Sequence, residues 1–264
     1  MSVLARNHVQ VRGRPDGRPL IFAHGFGCDQ NMWRFVAPAF ASTHRSVLFD
    51  HVGAGRSDVT AYDFTKYASL DGYVGDVLEI CAELDLTDVV FVGHSVSAMV
   101  GRPDRFGALV LVGPSPRYVD DEGYTGGFAR EDVDHLLASL ESNYLGWSSA
   151  LAPAIMGNPE RPELGEELTN SFCRTDPDIA HQFAEVTFLS DNRADLARVG
   201  IPTLVLQCSD DIIAPEPVGR YVHEQIPGSV LTLMRARGHC PNLSAPDETI
   251  AAIQGFLSTA AATR

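Results

Sequence analysis

Val89-Val90-Phe91-Val92-Gly93-His94-Ser95-Val96-Ser97-Ala98-Met99 is a β-branched and aromatic run that turns at Ser95 into helix-favouring residues. It reads as a strand, a sharp turn and a helix, the local shape of a nucleophile elbow. A serine hydroxyl is a weak nucleophile until the backbone projects it into a cleft and a base takes its proton. The stretch therefore predicts a base and a carboxylate elsewhere in the chain.

Both follow. Thr203-Leu204-Val205-Leu206-Gln207-Cys208-Ser209-Asp210-Asp211 is an apolar strand ending in two acids, and Arg237-Gly238-His239 lies just after the last strand pattern. The order serine, aspartate, histidine is that of the α/β-hydrolase arrangement, whereas chymotrypsin-like and subtilisin-like enzymes use other orders. Ser95 is thus the candidate nucleophile and His239 the candidate base, with Asp210 or Asp211 as the carboxylate. Two adjacent acids on one turn cannot flank a sugar, which excludes a glycosidase pair. Upstream, Leu20-Ile21-Phe22-Ala23-His24-Gly25-Phe26-Gly27 reads as a buried strand ending in a glycine-flexed loop, able to aim a backbone N–H at a developing oxyanion.

The bulk properties fit one α/β domain. The chain has 264 residues, 45% of them hydrophobic, enough for a substantial core. A formal net charge of −14 argues against nucleic-acid or anionic-membrane partners, which need basic patches. No apolar run reaches the length of a membrane span, and Met1-Ser2-Val3-Leu4-Ala5-Arg6 lacks the apolar core of a signal peptide, so a cytoplasmic location is expected. Cys28, Cys81, Cys173, Cys208 and Cys240 are odd in number and lack paired metal-ligand spacing, which suits reduced thiols and no metal. There is no phosphate-binding glycine loop of the nucleotide type, so no cofactor is expected.

Strand-like and helix-like runs alternate, predicting a mostly parallel sheet covered on both faces. The expected strands are Leu20 to His24, Ser46 to Asp50, Val89 to Gly93, Ala108 to Gly113, Thr203 to Cys208 and Val230 to Met234. Val9-Gln10-Val11 followed by Asp16-Gly17 predicts an antiparallel hairpin into the first of these. Helices are expected over Met32 to Phe40, Leu70 to Leu84, Pro217 to Gln225 and Asp247 to Leu257. Between Pro116 and Arg198 the strand signal gives way to helical runs at Arg130 to Asn143, Gly146 to Met156, Glu163 to Cys173 and Pro177 to Leu189, with Asp132-Val133-Asp134 and Asp176-Pro177 as cap signals.

The motifs His24-Gly25-Phe26-Gly27, Asp50-His51-Val52-Gly53-Ala54-Gly55-Arg56-Ser57-Asp58, Gly93-His94-Ser95-Val96-Ser97-Ala98-Met99, Gly113-Pro114-Ser115-Pro116-Arg117-Tyr118 and Gly238-His239-Cys240-Pro241 resemble those of the RsbQ-type hydrolases. That group includes a bacterial stress-signalling protein and the plant karrikin and strigolactone receptors. The resemblance runs from about Asn7 to Phe256. It implies an α/β-hydrolase fold spanning residues 1–264, with a helical lid over the nucleophile at about 117–198. It selects Asp211, the acid that precedes Ile212-Ile213-Ala214-Pro215, and leaves Asp210 to brace the turn. The backbone N–H groups of Phe26 and Val96 are the expected oxyanion donors, His24 is expected to order that loop, and His94 to point away from the chemistry. Phe26, Phe128, Trp147, Phe188 and Leu243 are candidates to line a dry pocket, although aromatics on amphipathic helices are often simply core. Such a pocket would take a small neutral apolar ester or lactone of butenolide type.

The chain departs from the pattern twice. Ser97 stands where most elbows carry a second glycine. A five-residue strand advances ~17 Å and needs a return helix of ~11 residues. Here Pro103 leaves only Val96 to Gly101 as a good helical run, so a truncated helix or a missing segment is expected. Two modes of action are open. The protein either hydrolyses small esters or lactones as metabolism, or senses a small apolar signal molecule and acts through a signalling protein partner, with slow hydrolysis.

Overall fold

The computed structural model describes residues 1–100 and 106–262. Its centre is a seven-stranded sheet of order β1-β3-β2-β4-β5-β6-β7. The strands are β1 (Gln10–Gly13), β2 (Arg18–Ala23), β3 (His44–Leu48), β4 (Val89–His94), β5 (Phe106–Val112), β6 (Thr203–Asp210) and β7 (Val230–Arg237). All neighbouring pairs are parallel except β1 with β3.

Every residue of β4 is buried, which is why it reads as a continuous apolar run instead of an alternating one. Leu20, Phe22, Val90, Val92 and Val110 face one layer of core, while Ile21, Ala23, Phe91, Leu109 and Leu111 face the other. Each fully buried Phe, Leu or Ile side chain contributes ~1.5–3 kcal/mol through its removal from water. This two-sided burial fixes the register at the strand ends that carry the site.

The helices are α1 (Val3–Arg6), α2 (Leu70–Glu83), α3 (Arg130–Ser142), α4 (Tyr144–Met156), α5 (Pro162–Phe172), α6 (Pro177–Phe188), α7 (Arg193–Leu196), α8 (Glu216–Gln225), α9 (Pro241–Ser244) and α10 (Pro246–Ala262). Val77, Ile80 and Cys81 of α2 and Val222 of α8 cover one sheet face. Helices α3 to α7 all fall between β5 and β6. Asp176 caps α6 by accepting from the N–H groups of Asp178 and Ile179. At α3, Asp132 Oδ2 accepts from Ala129 N at 3.3 Å, whereas Asp134 pairs with Arg130 instead of capping.

Three expectations are corrected. β1 does not form a hairpin with β2; it pairs antiparallel with β3, Gln10 opposite Leu48 and Gly13 opposite Arg45. Both edges of β2 are already taken by β3 and β4, so β1 pairs with the outer edge of β3 instead. The run Met32 to Phe40 is not one helix but two 3₁₀ turns, Gln30–Trp33 and Ala37–Phe40, because Pro38 has no N–H to complete an α-helical bond to the Arg34 carbonyl. The chain leaving Ser95 is a 3₁₀ helix over Ser95–Val100, not an α-helix. A 3₁₀ helix rises ~2.0 Å per residue, so a short segment covers more of the return distance than an α-helix would. The rest of the expected return, residues 101–105, lies outside the described residues, and β5 begins at Phe106, two residues before the expected Ala108.

Candidate active site

Ser95 sits at the β4 terminus with φ +59°, a left-handed conformation that costs a non-glycine residue energy and marks a sharp, projecting turn. The Nε2 atom of His239 lies 2.9 Å from Ser95 Oγ, and His239 Nδ1 lies 2.7 Å from Asp211 Oδ2. Asp211 Oδ1 accepts from the backbone N–H groups of Ile213 at 2.9 Å and Ala214 at 3.0 Å. With Oδ1 taken by two backbone N–H groups, Oδ2 faces His239 Nδ1, and the tautomer with Nδ1–H toward Asp211 leaves Nε2 to accept the Ser95 O–H. Gly113, with φ +55°, makes room for this ring, since a Cβ there would stand 3.3 Å from His239 Nδ1.

Asp210 is outside this chain of bonds. Its carbonyl accepts from Gly238 N at 2.9 Å and its carboxylate accepts from Arg237 Nε at 3.2 Å, which ties the end of β6 to the loop that carries His239.

The loop after β2 lies against the elbow. A Cβ on Gly25 would come within 2.6 Å of His94 Nδ1 and 3.0 Å of Ser95 Cβ, so only glycine permits this approach. Nδ1–H of His24 donates to the Gly25 carbonyl at 2.9 Å, while its Nε2 accepts from His51 N at 3.0 Å. Ser97 completes the tie: its hydroxyl donates to the His24 carbonyl at 2.5 Å and accepts from His51 Nε2 at 2.9 Å. A serine at the usual glycine position therefore bridges the elbow to the loop that precedes Phe26. Burial, reinforced by neighbouring His24, holds His51 well below the ordinary histidine range, so its ring is neutral.

His94 points away from Ser95 Oγ. Its Nε2–H donates to the His239 carbonyl at 2.8 Å, and the two rings lie 4.8 Å apart. Burial and then the neighbouring His239 push His94 down from 6.5 to about 3. Tyr118 comes unannounced by any catalytic motif: its hydroxyl is 3.2 Å from Ser95 Oγ, and burial raises its phenol, keeping it neutral. The only signal for it in the chain is the Gly113 to Tyr118 segment that carries the family resemblance.

Above Ser95 is a cavity of only about 30 Å³, lined by Phe26, Phe188, Tyr118, Ile213, Cys28 and Cys240 among others. That is room for about one water molecule. Trp147 and Phe128 stand one layer back. Trp147 stacks on Phe172 at 5.5 Å and meets the Phe26 edge at 6.1 Å, and Phe128 meets the Phe188 edge at 5.9 Å. Leu243 is not beside Ser95; the single turn of α9 carries it to a neighbouring cavity. Among the described residues no cluster of three metal-ligating side chains occurs, and no helix is long and apolar enough to cross a membrane.

Residues 20–252 match the model of the alpha/beta hydrolase family. The chain is 37% identical over 258 residues to the Karrikin insensitive 2 receptor CA of Petunia hybrida, covering 95% of both chains. It is 37% identical over 252 residues to the Strigolactone esterase D14 of Arabidopsis thaliana, covering 93% of this chain and 94% of that one. A solved structure of a hydrolase from Oleispira antarctica superposes with a TM-score of 0.93 at 39% identity, over 97% of this chain and 96% of the other. The chain thus belongs to the alpha/beta hydrolase family, in the RsbQ-type group that includes the plant karrikin and strigolactone receptors.

Proposed function

We propose that this protein is a serine hydrolase of small, neutral, apolar esters or lactones, butenolides included. The observation that carries the reading is the unbroken bond chain from Ser95 through His239 to Asp211, at 2.9 and 2.7 Å. His239 Nε2 takes the Ser95 proton as Oγ bonds to the substrate carbonyl carbon. Asp211 holds the tautomer and stabilises the imidazolium. The backbone N–H groups of Phe26 and Val96, on the two segments that meet at Gly25 and Ser95, receive the oxyanion. His239 then protonates the leaving oxygen, and water activated by the same base releases the acid and restores Ser95.

The aromatic lining favours a neutral apolar reacting group, because a charge would lose its hydration in a space of this size. On this reading residues 1–264 form one domain, and α3 to α7, within about 117–198, act as a lid that must yield to admit substrate. Phe26 and Phe188 would touch the substrate, with Phe128 and Trp147 supporting them.

The small cavity and the likeness to a receptor favour one further reading, in which slow turnover lets the lid report ligand to a protein partner, as in stress signalling. We place the protein in the cytoplasm, a reading supported by an odd number of cysteines without metal-ligand spacing. The test is steady-state hydrolysis of 4-nitrophenyl acetate and a methylbutenolide by wild type and Ser95→Ala. Turnover lost in the variant supports the reading, and equal turnover by both proteins refutes it.

A further inference from the structure

A second cavity, of about 350 Å³, shares two wall residues, Cys28 and Leu168, with the small space above Ser95. Its remaining wall combines Met32 and Leu243 with polar and charged side chains. Arg34 donates to both carboxylate oxygens of Glu167, at 2.6 and 2.7 Å, and Arg174 donates to Asp29 Oδ2 at 3.1 Å. Asn31 adds an exposed amide at the rim. The catalytic space is too small for a whole ester, whereas the neighbouring one has the size of an ordinary small-ligand site. Cys28 and Leu168 line both spaces and so lie between them.

We propose that this second cavity receives the part of the substrate remote from the reacting carbonyl, and that this part is a neutral, oxygen-bearing group such as an ether, hydroxyl or ketone. The proposal rests on the ester-hydrolase reading and specifies its substrate. Charge balance selects neutrality: two guanidinium groups are matched by two carboxylates, so the wall has no net positive charge to attract an anion. A purely alkyl tail would strip water from these groups without replacing its bonds. An acceptor oxygen meets ready donors, since Arg174 uses one N–H on Asp29 and a guanidinium carries five. The substrate is thus two-faced, apolar at Ser95 and oxygenated beyond Leu168.

The test compares kcat/KM for four 4-nitrophenyl esters: acetate, heptanoate, 5-methoxypentanoate, which equals the heptanoate in chain length and keeps its ether oxygen remote from the carbonyl, and hydrogen adipate. The ether ester is expected to exceed heptanoate by about tenfold, the worth of one net hydrogen bond. Asn31→Trp, which fills the cavity while keeping the bonds that Asn31 makes through its backbone, should bring that ratio to about one, as should Arg174→Gln in part. A preference for heptanoate or adipate, or a ratio unchanged in both variants, overturns the proposal while acetate turnover survives. Absence of acetate turnover in the wild type would instead remove the ester-hydrolase reading and this proposal with it.

Discussion

The backbone N–H of His239 donates to the carbonyl of Ile155 at 2.9 Å, so the loop that carries the base hangs from the last turn of α4. The joint is close. A Cβ on Gly238 would fall 1.9 Å from the Met156 carbonyl oxygen, and Gly157, with φ +66°, turns the chain beside it. Asn158 locks it, with its Nδ2 donating to the Met156 carbonyl at 2.5 Å and the Arg237 carbonyl at 3.2 Å, while Arg161 donates to Asn158 Oδ1 at 3.0 Å. Movement at this end of α4 therefore moves the base.

Asn158→Ala leaves buried carbonyls without their donor, a cost of ~1–3 kcal/mol. Thermal unfolding should shift down accordingly. Because the base loses its anchor, kcat should also fall, by roughly tenfold per 1.4 kcal/mol of misplacement, with KM little changed. Stability lost without any change in kcat would show that the joint is only structural.

Gly25→Ala should remove most activity without unfolding the protein. The added methyl meets His94 Nδ1 and Ser95 Cβ and so pushes the loop bearing Phe26 off the elbow. Loss of one oxyanion donor costs ~10² to 10³ in turnover. Stopped-flow acylation with a 4-nitrophenyl ester measures it, and acylation within a few-fold of wild type would place the oxyanion elsewhere.

Folding stability should fall with acid through His94. Its folded value is depressed from 6.5 to about 3, so the unfolded chain binds a proton that the folded chain refuses. The contribution is complete above pH 6.5 and is lost as pH falls toward about 3, at ~1.4 kcal/mol per pH unit. His51 is shifted in the same direction and adds to the loss. Urea unfolding at about pH 7 and about pH 5 should differ by roughly 2 kcal/mol from His94 alone. His94→Gln, which can still offer a donor to the His239 carbonyl, should flatten the slope; an unchanged slope would mean that His94 is not held neutral.

Local pattern carried much of this site. The turn at Ser95 and the histidine after Gly238 lie in stretches whose own residues shape the backbone, whereas the choice of Asp211 over its neighbour Asp210 comes from the family resemblance. What depends on distant partners left no such trace. The choice of β3 over β2 as the partner of β1, the approach of Tyr118 to Ser95, the placement of Leu243 beside the second cavity and the lock at Asn158 all join residues far apart in the chain. The 3₁₀ geometry after Ser95 is a middle case: the shortness of the run was legible, and its tighter winding follows from the distance to be covered.

Intact-mass spectrometry after exposure to a serine-reactive fluorophosphonate tests the central claim most directly, with Ser95→Ala beside the wild type. An assembled Ser95, His239 and Asp211 predicts one adduct per wild-type chain, mapping to Ser95, and none on the variant. Labelling of Ser95→Ala to the same extent, or a wild type that stays unlabelled while a simple aryl ester is turned over, would contradict it.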